Sequence, residues 1–300
     1  MLVLWQLSPY FLTAGNLLNI GSQSAMIAVI GIGLTAVILM AEIDLSVGSV
    51  AGLAGAITAT LLHSVPAGWP AGLWLGVAVA AGLGVGFLAG AFNGLFTVQW
   101  GIPSFIVTLG MLSIGRGLVL LRTGGRPISD LGVTFGQISW GYVGPIPIPI
   151  VIVLGLYLLA WLFLRETHLG RYIYAIGTNK RAVELSGVNV RAIKVGVFAV
   201  AGAFAGLAGI MLTSRLDSAQ PTAGTGWELD AIAAVVLGGT SLYGGRGSVA
   251  KTLVGAFILQ ILSNGMNLLN VQAYWQQIAK GSIILLALLI ERNLRGRERG

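Results

Sequence analysis

LSVGSVAGLAGAITATLLHSVPAGWPAGLWLGVAVAAGLGVGFLAGAFNGLFTVQWGIPSFIVTLGMLSIG, residues 45–115, runs for 71 positions without an Asp, Glu, Lys or Arg. A helix crosses a ~30 Å hydrocarbon layer with about 20 mostly apolar residues, so this stretch alone has room for about three crossings. Residues 1–41, 131–164, 195–214, 231–245, 252–279 and 281–290 are charge-free as well, and the seven stretches together cover 219 of the 300 residues. That is room for roughly nine to eleven spans. A soluble enzyme, a signal-anchored domain and a single-span receptor are excluded, and so is an outer-membrane barrel, whose strands alternate polar and apolar side chains. The sequence therefore predicts an all-α polytopic membrane protein, one transmembrane domain over residues 1–300.

Hydropathy and punctuation place spans near 17–40, 50–62, 71–95, 102–121, 145–164, 195–214, 229–243, 252–270 and 278–290, with a partial one before Pro9. Those at 50–62, 229–243 and 278–290 are short and are expected to be tilted or broken. The net charge of +7 reflects positive-inside bias, since no amphipathic surface interleaves aromatic and basic residues as a nucleic-acid partner would require. Loops 165–194 and 244–251 and the tail 291–300 carry most of the basic residues and are predicted to be cytoplasmic. The chain would then begin outside, and Arg116 and Lys280 would snorkel near outer helix ends. There is no cysteine, so there is neither a disulfide frame nor a thiolate metal site. MLVLWQLSPYF lacks the basic n-region and cleavage site of a signal peptide.

Gly82, Gly86, Gly90 and Gly94 recur every fourth residue and mark a close-packed helix face, as do Gly202 and Gly206. Gly245-Arg-Gly-Ser-Val-Ala-Lys-Thr252 mimics a phosphate-binding loop but has Ala250 at the second glycine and no strand before it, so any ATPase belongs to another chain. His63 and His168 are isolated, and no catalytic cluster or metal set is evident. GSVAGLAGA (48–56) after Glu42 and Asp44 echoes GSVAKTLVGA (247–256) after Glu228 and Asp230, which suggests related halves. Glu42 and Asp44 sit between long apolar runs. Either they mark a break between helices, with Asp44 or Ser46 capping the second, or they form a short cytoplasmic turn. In the loop 165–194, Asn179 is placed to cap a two-turn helix that stops at Gly187. Ala182 and Leu185 fall on one side of it, with Lys180, Arg181 and Glu184 around the rest. Such a peg suits a groove on a soluble partner, and an ordinary positive-inside loop fits equally well on these residues alone.

LGRYIYAIGTNKRAVELSGVNVRAIK (169–194), SRLDSAQPTAGTGWELDAIAAVVLGGTSLYGGRGS (214–248) and NGMNLLNVQAYWQQIAKGSIILLAL (264–288) closely resemble the ribose-type sugar permeases of bacterial ABC importers. SPYFLTAGNLLNI (8–20), EIDLSVGSV (42–50) and IPSFIVTLGMLSIGRG (102–117) fit the same family, so the resemblance covers nearly the whole chain. It implies a type II importer permease fold of ten helices in the bacterial cytoplasmic (inner) membrane with both termini cytoplasmic. Two permease copies or paralogues would enclose the path, ATP-binding subunits holding ATP and Mg would drive it, and an extracytoplasmic sugar-binding protein would deliver substrate. This chain itself would bind no cofactor. The matching positions for the family's coupling helix are Asn179 to Gly187. Family members usually begin with a full helix before SPxFLT, where only seven residues stand here, which implies a truncated start or a dispensable first helix.

Under that resemblance, outer loops such as 122–144 and 215–228 are expected to receive the binding protein. Ser46, Asn93, Gln220, Asn264 and Asn267 are candidates for a weakly polar path with Trp275 as a stacking wall, the alternative for each being an interhelical hydrogen bond. EIDLSVGS and PSFIVTL also resemble the xylose branch. The competing classes are a secondary transporter or channel, which would work without an ATPase, and a membrane enzyme, which would need catalytic groups gathered at one depth.

Overall fold

The computed structural model describes residue 6 and residues 9–298. The partial span expected before Pro9 lies largely outside the described residues. Eleven helices are described: α1 (Ala14–Leu39), α2 (Val47–Leu62), α3 (Ala71–Gln99), α4 (Ser104–Thr123), α5 (Val133–Trp140), α6 (Ile148–Glu166), α7 (His168–Leu185), α8 (Val190–Leu216), α9 (Trp227–Leu237), α10 (Val249–Leu268) and α11 (Ala273–Glu298). Two short antiparallel pairs, β1 (Ile128–Ser129) with β4 (Ser218–Ala219) and β2 (Tyr142–Val143) with β3 (Ile146–Pro147), tie loops at one end. Among the described residues, α1, α3, α4, α6, α8 and α10 are long and apolar enough to cross a membrane.

Helix α1 is the central post, buried along most of its length, whereas α4 buries one narrow stripe (Ser104, Thr108, Met111, Gly115, Val119) and turns its leucines and isoleucines outward. That is the inverse of a water-soluble helix, as expected where lipid is the solvent. The most extensive helix pair is α3 with α8. A side chain at Gly86 would strike the Gly202 carbonyl, one at Gly90 the Phe198 carbonyl, one at Gly82 the Thr58 hydroxyl, and one at Gly94 the Val195 backbone. The four-residue glycine spacing thus lets two backbones touch, as expected.

Predicted span boundaries agree with α1 to α4, α6, α8 and α10 within a few residues. Three points differ. The expected short span at 278–290 lies within a continuous 26-residue helix, α11, which runs on through the helix-forming but charged ERNLRGRE. The expected span at 229–243 is only an 11-residue helix, α9, reached by turns at 220–226 that pass beside α2, where the Ala223 carbonyl approaches Gly52 and the Gly224 carbonyl approaches Gly48. The segment 215–228 is therefore not simply an outer loop, since its second half is packed into the helices. Finally, Arg116 and Lys280 do not snorkel. Arg116 Nη1 donates to the carbonyls of Pro221 (3.1 Å) and Ala223 (2.8 Å), and Lys280 Nζ donates to Asp230 Oδ2 at 2.9 Å. The turns at 220–226 leave backbone carbonyls that no regular helix satisfies, and the partly buried Arg116 answers two of them.

Candidate coupling and translocation sites

Thr167 opens α7, its Oγ1 accepting from Gly170 N at 3.0 Å. At Asn179 the backbone leaves helical geometry (φ −155°, ψ 87°), and Asn179 Oδ1 accepts from Ala182 N at 3.0 Å. A new helical segment starts there and closes at Ser186, whose N–H donates to Ala182 O (3.1 Å), before Gly187 at φ +79°. This is the two-turn peg expected from Asn179 to Gly187. Val183 is its buried anchor, while Ala182 and Leu185 are exposed, Leu185 to 74%. Lys180 and Arg181 lie 3.7 and 3.8 Å from Glu184. Such exposed pairs contribute little energy but fix the charged rim around the apolar tip. Asn189 then caps α8, Oδ1 accepting from Ala192 N.

The base of the peg is bolted to two other elements. A side chain at Gly177 would collide with the Leu39 carbonyl and with Gly245 N, which itself donates to Leu39 O at 2.8 Å. Gly244 and Gly245 take positive φ (81° and 73°) beside Ala41 and Thr178. Tyr174 OH donates to Gly247 O at 3.1 Å, and burial pushes its phenol above the ordinary range. The end of α1, the base of the peg and the 239–247 turn therefore form one platform. The sequence reading found the peg and missed the platform. GlyGly at 244–245 signalled a tight turn, but nothing in the chain order said which helix it would touch.

Behind the platform, residues 40–46 link α1 to α2. Glu42 and Lys194 form an ion pair with both side chains nearly buried. Ile43 N and Leu45 N donate to Ser104 Oγ and Thr108 Oγ1, each at 3.1 Å. Asp44 Oδ1 accepts from Ser46 N (2.8 Å) and Ser46 Oγ (2.6 Å), and Ser46 Oγ accepts from Asn93 Nδ2 at 2.9 Å. Of the two readings of Glu42 and Asp44, the helix break is the one present. A solvated turn is overturned by burial, since Asp44 is 1% exposed. The expected cap is also corrected: Ser46 makes no side-chain cap to α2, and Asp44 closes a turn on Ser46 instead.

The expected path residues do not converge. Ser46 and Asn93 meet, but inside the protein. Asn264 exchanges two hydrogen bonds with Asn16 on α1 (3.0 and 2.9 Å), and Asn267 Oδ1 accepts from Gln276 at 2.7 Å. Gln220 donates to Ser218 Oγ at 2.7 Å, and Trp275 is exposed beside Tyr274. Most of the set is thus spent on interhelical or local bonds, the alternative reading. The polar groups not put forward for a path are those of the half-crossing: Thr222 and Thr225 are exposed there, Arg116 bonds the carbonyls on either side of Thr222, and Lys280 pairs with Asp230. The signal was available as Lys280 and Asp230, single opposite charges on two apolar spans. Among the described residues no group of three or more His, Cys, Asp or Glu could hold a metal ion.

The family described as branched-chain amino acid transport system / permease component matches residues 16–288. The chain belongs to this permease family. It is 47% identical to the ribose import permease protein of Haemophilus influenzae over 96% of this chain and 88% of that one. It is 46% identical to the ribose import permease protein of Escherichia coli K12 over 95% and 88%, and 38% identical to the D-allose transport system permease protein of the same organism over 95% and 86%. No solved structure gives a significant match. The resemblance seen in the sequence is borne out, and the chain is a multi-pass transport permease of the inner membrane.

Proposed function

We propose that this chain is the permease subunit of an ATP-driven importer that moves a monosaccharide, ribose before others, into the bacterial cytoplasm. The carrying observation is identity of 46–47% to ribose import permeases across nearly the whole chain. Two copies, or a copy and a paralogue, enclose the path. Separate ATP-binding subunits hold ATP and Mg and dock on the peg, Asn179 to Gly187. A sugar-binding protein outside delivers substrate. The peg end and the C-terminal tail are cytoplasmic, in keeping with the Lys and Arg count.

Transport runs by alternating access. Because Gly177 leaves no space between the peg's base and Leu39 or Gly245, a push on the peg has to move the end of α1 and the turn before α10 with it. ATP closure supplies the differential affinity for the two states. The half-crossing 220–230, with exposed Thr222 and Thr225, supports a weakly polar wall for the sugar, which needs no tight site in the permease when a separate protein selects it.

Uptake by the permease reconstituted with ATP-binding subunits and binding protein, measured across ribose, allose and xylose with and without ATP, tests the reading. Ribose uptake that requires ATP is expected. Uptake that proceeds without ATP or partners would place the chain among secondary transporters or channels.

A further inference from the structure

Where α6 ends, an open cleft of about 350 Å³ is lined by Trp161, Leu164, Arg165, Arg171, Tyr174 and the Gly247–Val249 turn. It shares Tyr174 and Gly247 with the platform at the base of the peg but includes none of the peg residues Asn179 to Gly187. Both arginines stand at its mouth. The Arg165 guanidinium lies 5.0 Å from the centre of the Trp161 ring, and its Nε rests 3.2 Å from Glu166. Arg171 Nη1 contacts Glu166 O at 3.4 Å and its Nη2 lies 2.8 Å from His168 Nδ1. Tyr174 forms the wall through its bond to Gly247 O. With Glu166 counted, the mouth carries one net positive charge, matching a phosphodiester monoanion rather than a doubly charged phosphate. Above it, Leu154, Leu158 and Leu162 form one exposed stripe of α6 at four-residue spacing, and Arg165 continues that face at the next turn.

We propose that this cleft binds an anionic phospholipid such as phosphatidylglycerol, its phosphate between Arg165 and Arg171 and its acyl chains along the leucine stripe. A stripe of leucines ending in a tryptophan and two guanidiniums is the order of chemistry met on passing from acyl chain to headgroup. Neither a free anion nor a soluble protein surface explains the stripe. The first turn of α10, which begins at Val249 on the cleft wall, adds the favourable end of its helix dipole.

The test is native mass spectrometry of the full permease exchanged into micelles containing phosphatidylglycerol or phosphatidylcholine. The wild type is expected to retain one phosphatidylglycerol per chain in preference to phosphatidylcholine. R165Q/R171Q should lower that occupancy about tenfold. R165K/R171K should keep most of it, and R122Q/R191Q, which removes two exposed arginines elsewhere, should keep all of it. Equal retention by R165Q/R171Q overturns the proposal, as does an equal loss in R122Q/R191Q. Displacement of the lipid by millimolar inorganic phosphate would make the site one for free anions and overturns it too. So does weaker assembly of R165Q/R171Q with the ATP-binding subunit in bilayers free of anionic lipid, which would make the cleft a protein contact. Should R165Q/R171Q fail to fold, R171Q alone is read against the same criteria.

Discussion

The α3–α8 seam and the half-crossing at 217–240 both close protein against protein inside hydrocarbon, by opposite means. The seam removes side chains: Gly82, Gly86, Gly90 and Gly94 let one backbone rest on another, and every backbone hydrogen bond stays within its own helix. The half-crossing gives up a regular helix over 220–226; Arg116, sent from α4, satisfies two of the carbonyls left behind, and Lys280 from α11 pairs with the Asp230 carboxylate in the short helix that follows. A seam of the first kind is fixed sterically and has nothing to offer a polar solute. A segment of the second kind leaves Thr222 and Thr225 exposed, the polar surface that the proposed function assigns to the sugar.

The largest effect is expected in the seam. Gly90→Leu would drive a side chain into the Phe198 carbonyl, where only backbone could give way, and should cost about 3 kcal/mol or more. Loss of the monodisperse peak and a lowered unfolding midpoint in detergent would show it. Gly84→Leu is the matched control: nothing lies within 4 Å of a Cβ added there, and the change should stay within about 0.5 kcal/mol. If both substitutions behave alike, the seam is not held together as described.

Next comes Arg116→Met, which orphans the carbonyls of Pro221 and Ala223 together. At about 1–2 kcal/mol for each of the two groups, the lower part of the range because Ala223 is only partly buried, a loss of roughly 2–4 kcal/mol is expected, concentrated in the half-crossing. A single cysteine introduced at Thr222 should then react faster with a small thiol reagent, which the absence of native cysteine makes easy to read. Arg116→Lys should recover part of the protection. Smaller again is Lys280→Met. Its partner Asp230 is about one quarter exposed, so the loss should be about 1–2 kcal/mol, less than for a fully buried pair, and Lys280→Met with Asp230→Asn should regain most of it. A double variant no better than the single would mean that the two groups do not depend on each other.

These two regions also show what a linear reading can reach. The seam was legible because its rule is written in four consecutive turns of one helix, and the peg because Asn179 and Gly187 carry a start and a stop eight residues apart. The half-crossing was legible only as a span too short for the bilayer. Its partners lie some 50 to 105 residues away along the chain, and an isolated Arg near a helix end reads as an interfacial charge until the structure shows which carbonyls it meets. Asn264 was left with two readings for the same reason, since its partner Asn16 is 248 positions away, each side chain using both its amide oxygen and its amide nitrogen in the pair. A polar residue in a span announces that it has a partner, not whether the partner is a solute or a neighbouring helix.

The smallest effect on the permease itself, and the sharpest on what it is for, belongs to Leu185→Asp. Leu185 is 74% exposed at the tip of the peg. A substitution there should change stability by no more than about 0.5 kcal/mol, in contrast to every change in the seam. If the ATP-binding subunit docks on this apolar tip ringed by Lys180, Arg181 and Glu184, as proposed, the same substitution should abolish assembly with that subunit and stop uptake. Val183→Asp, one turn face away and buried, should instead unfold the peg from its platform and lower stability as well. If Leu185→Asp leaves both assembly and uptake at wild-type levels, the peg is only a loop with good caps, and the force that moves α1 must arrive elsewhere.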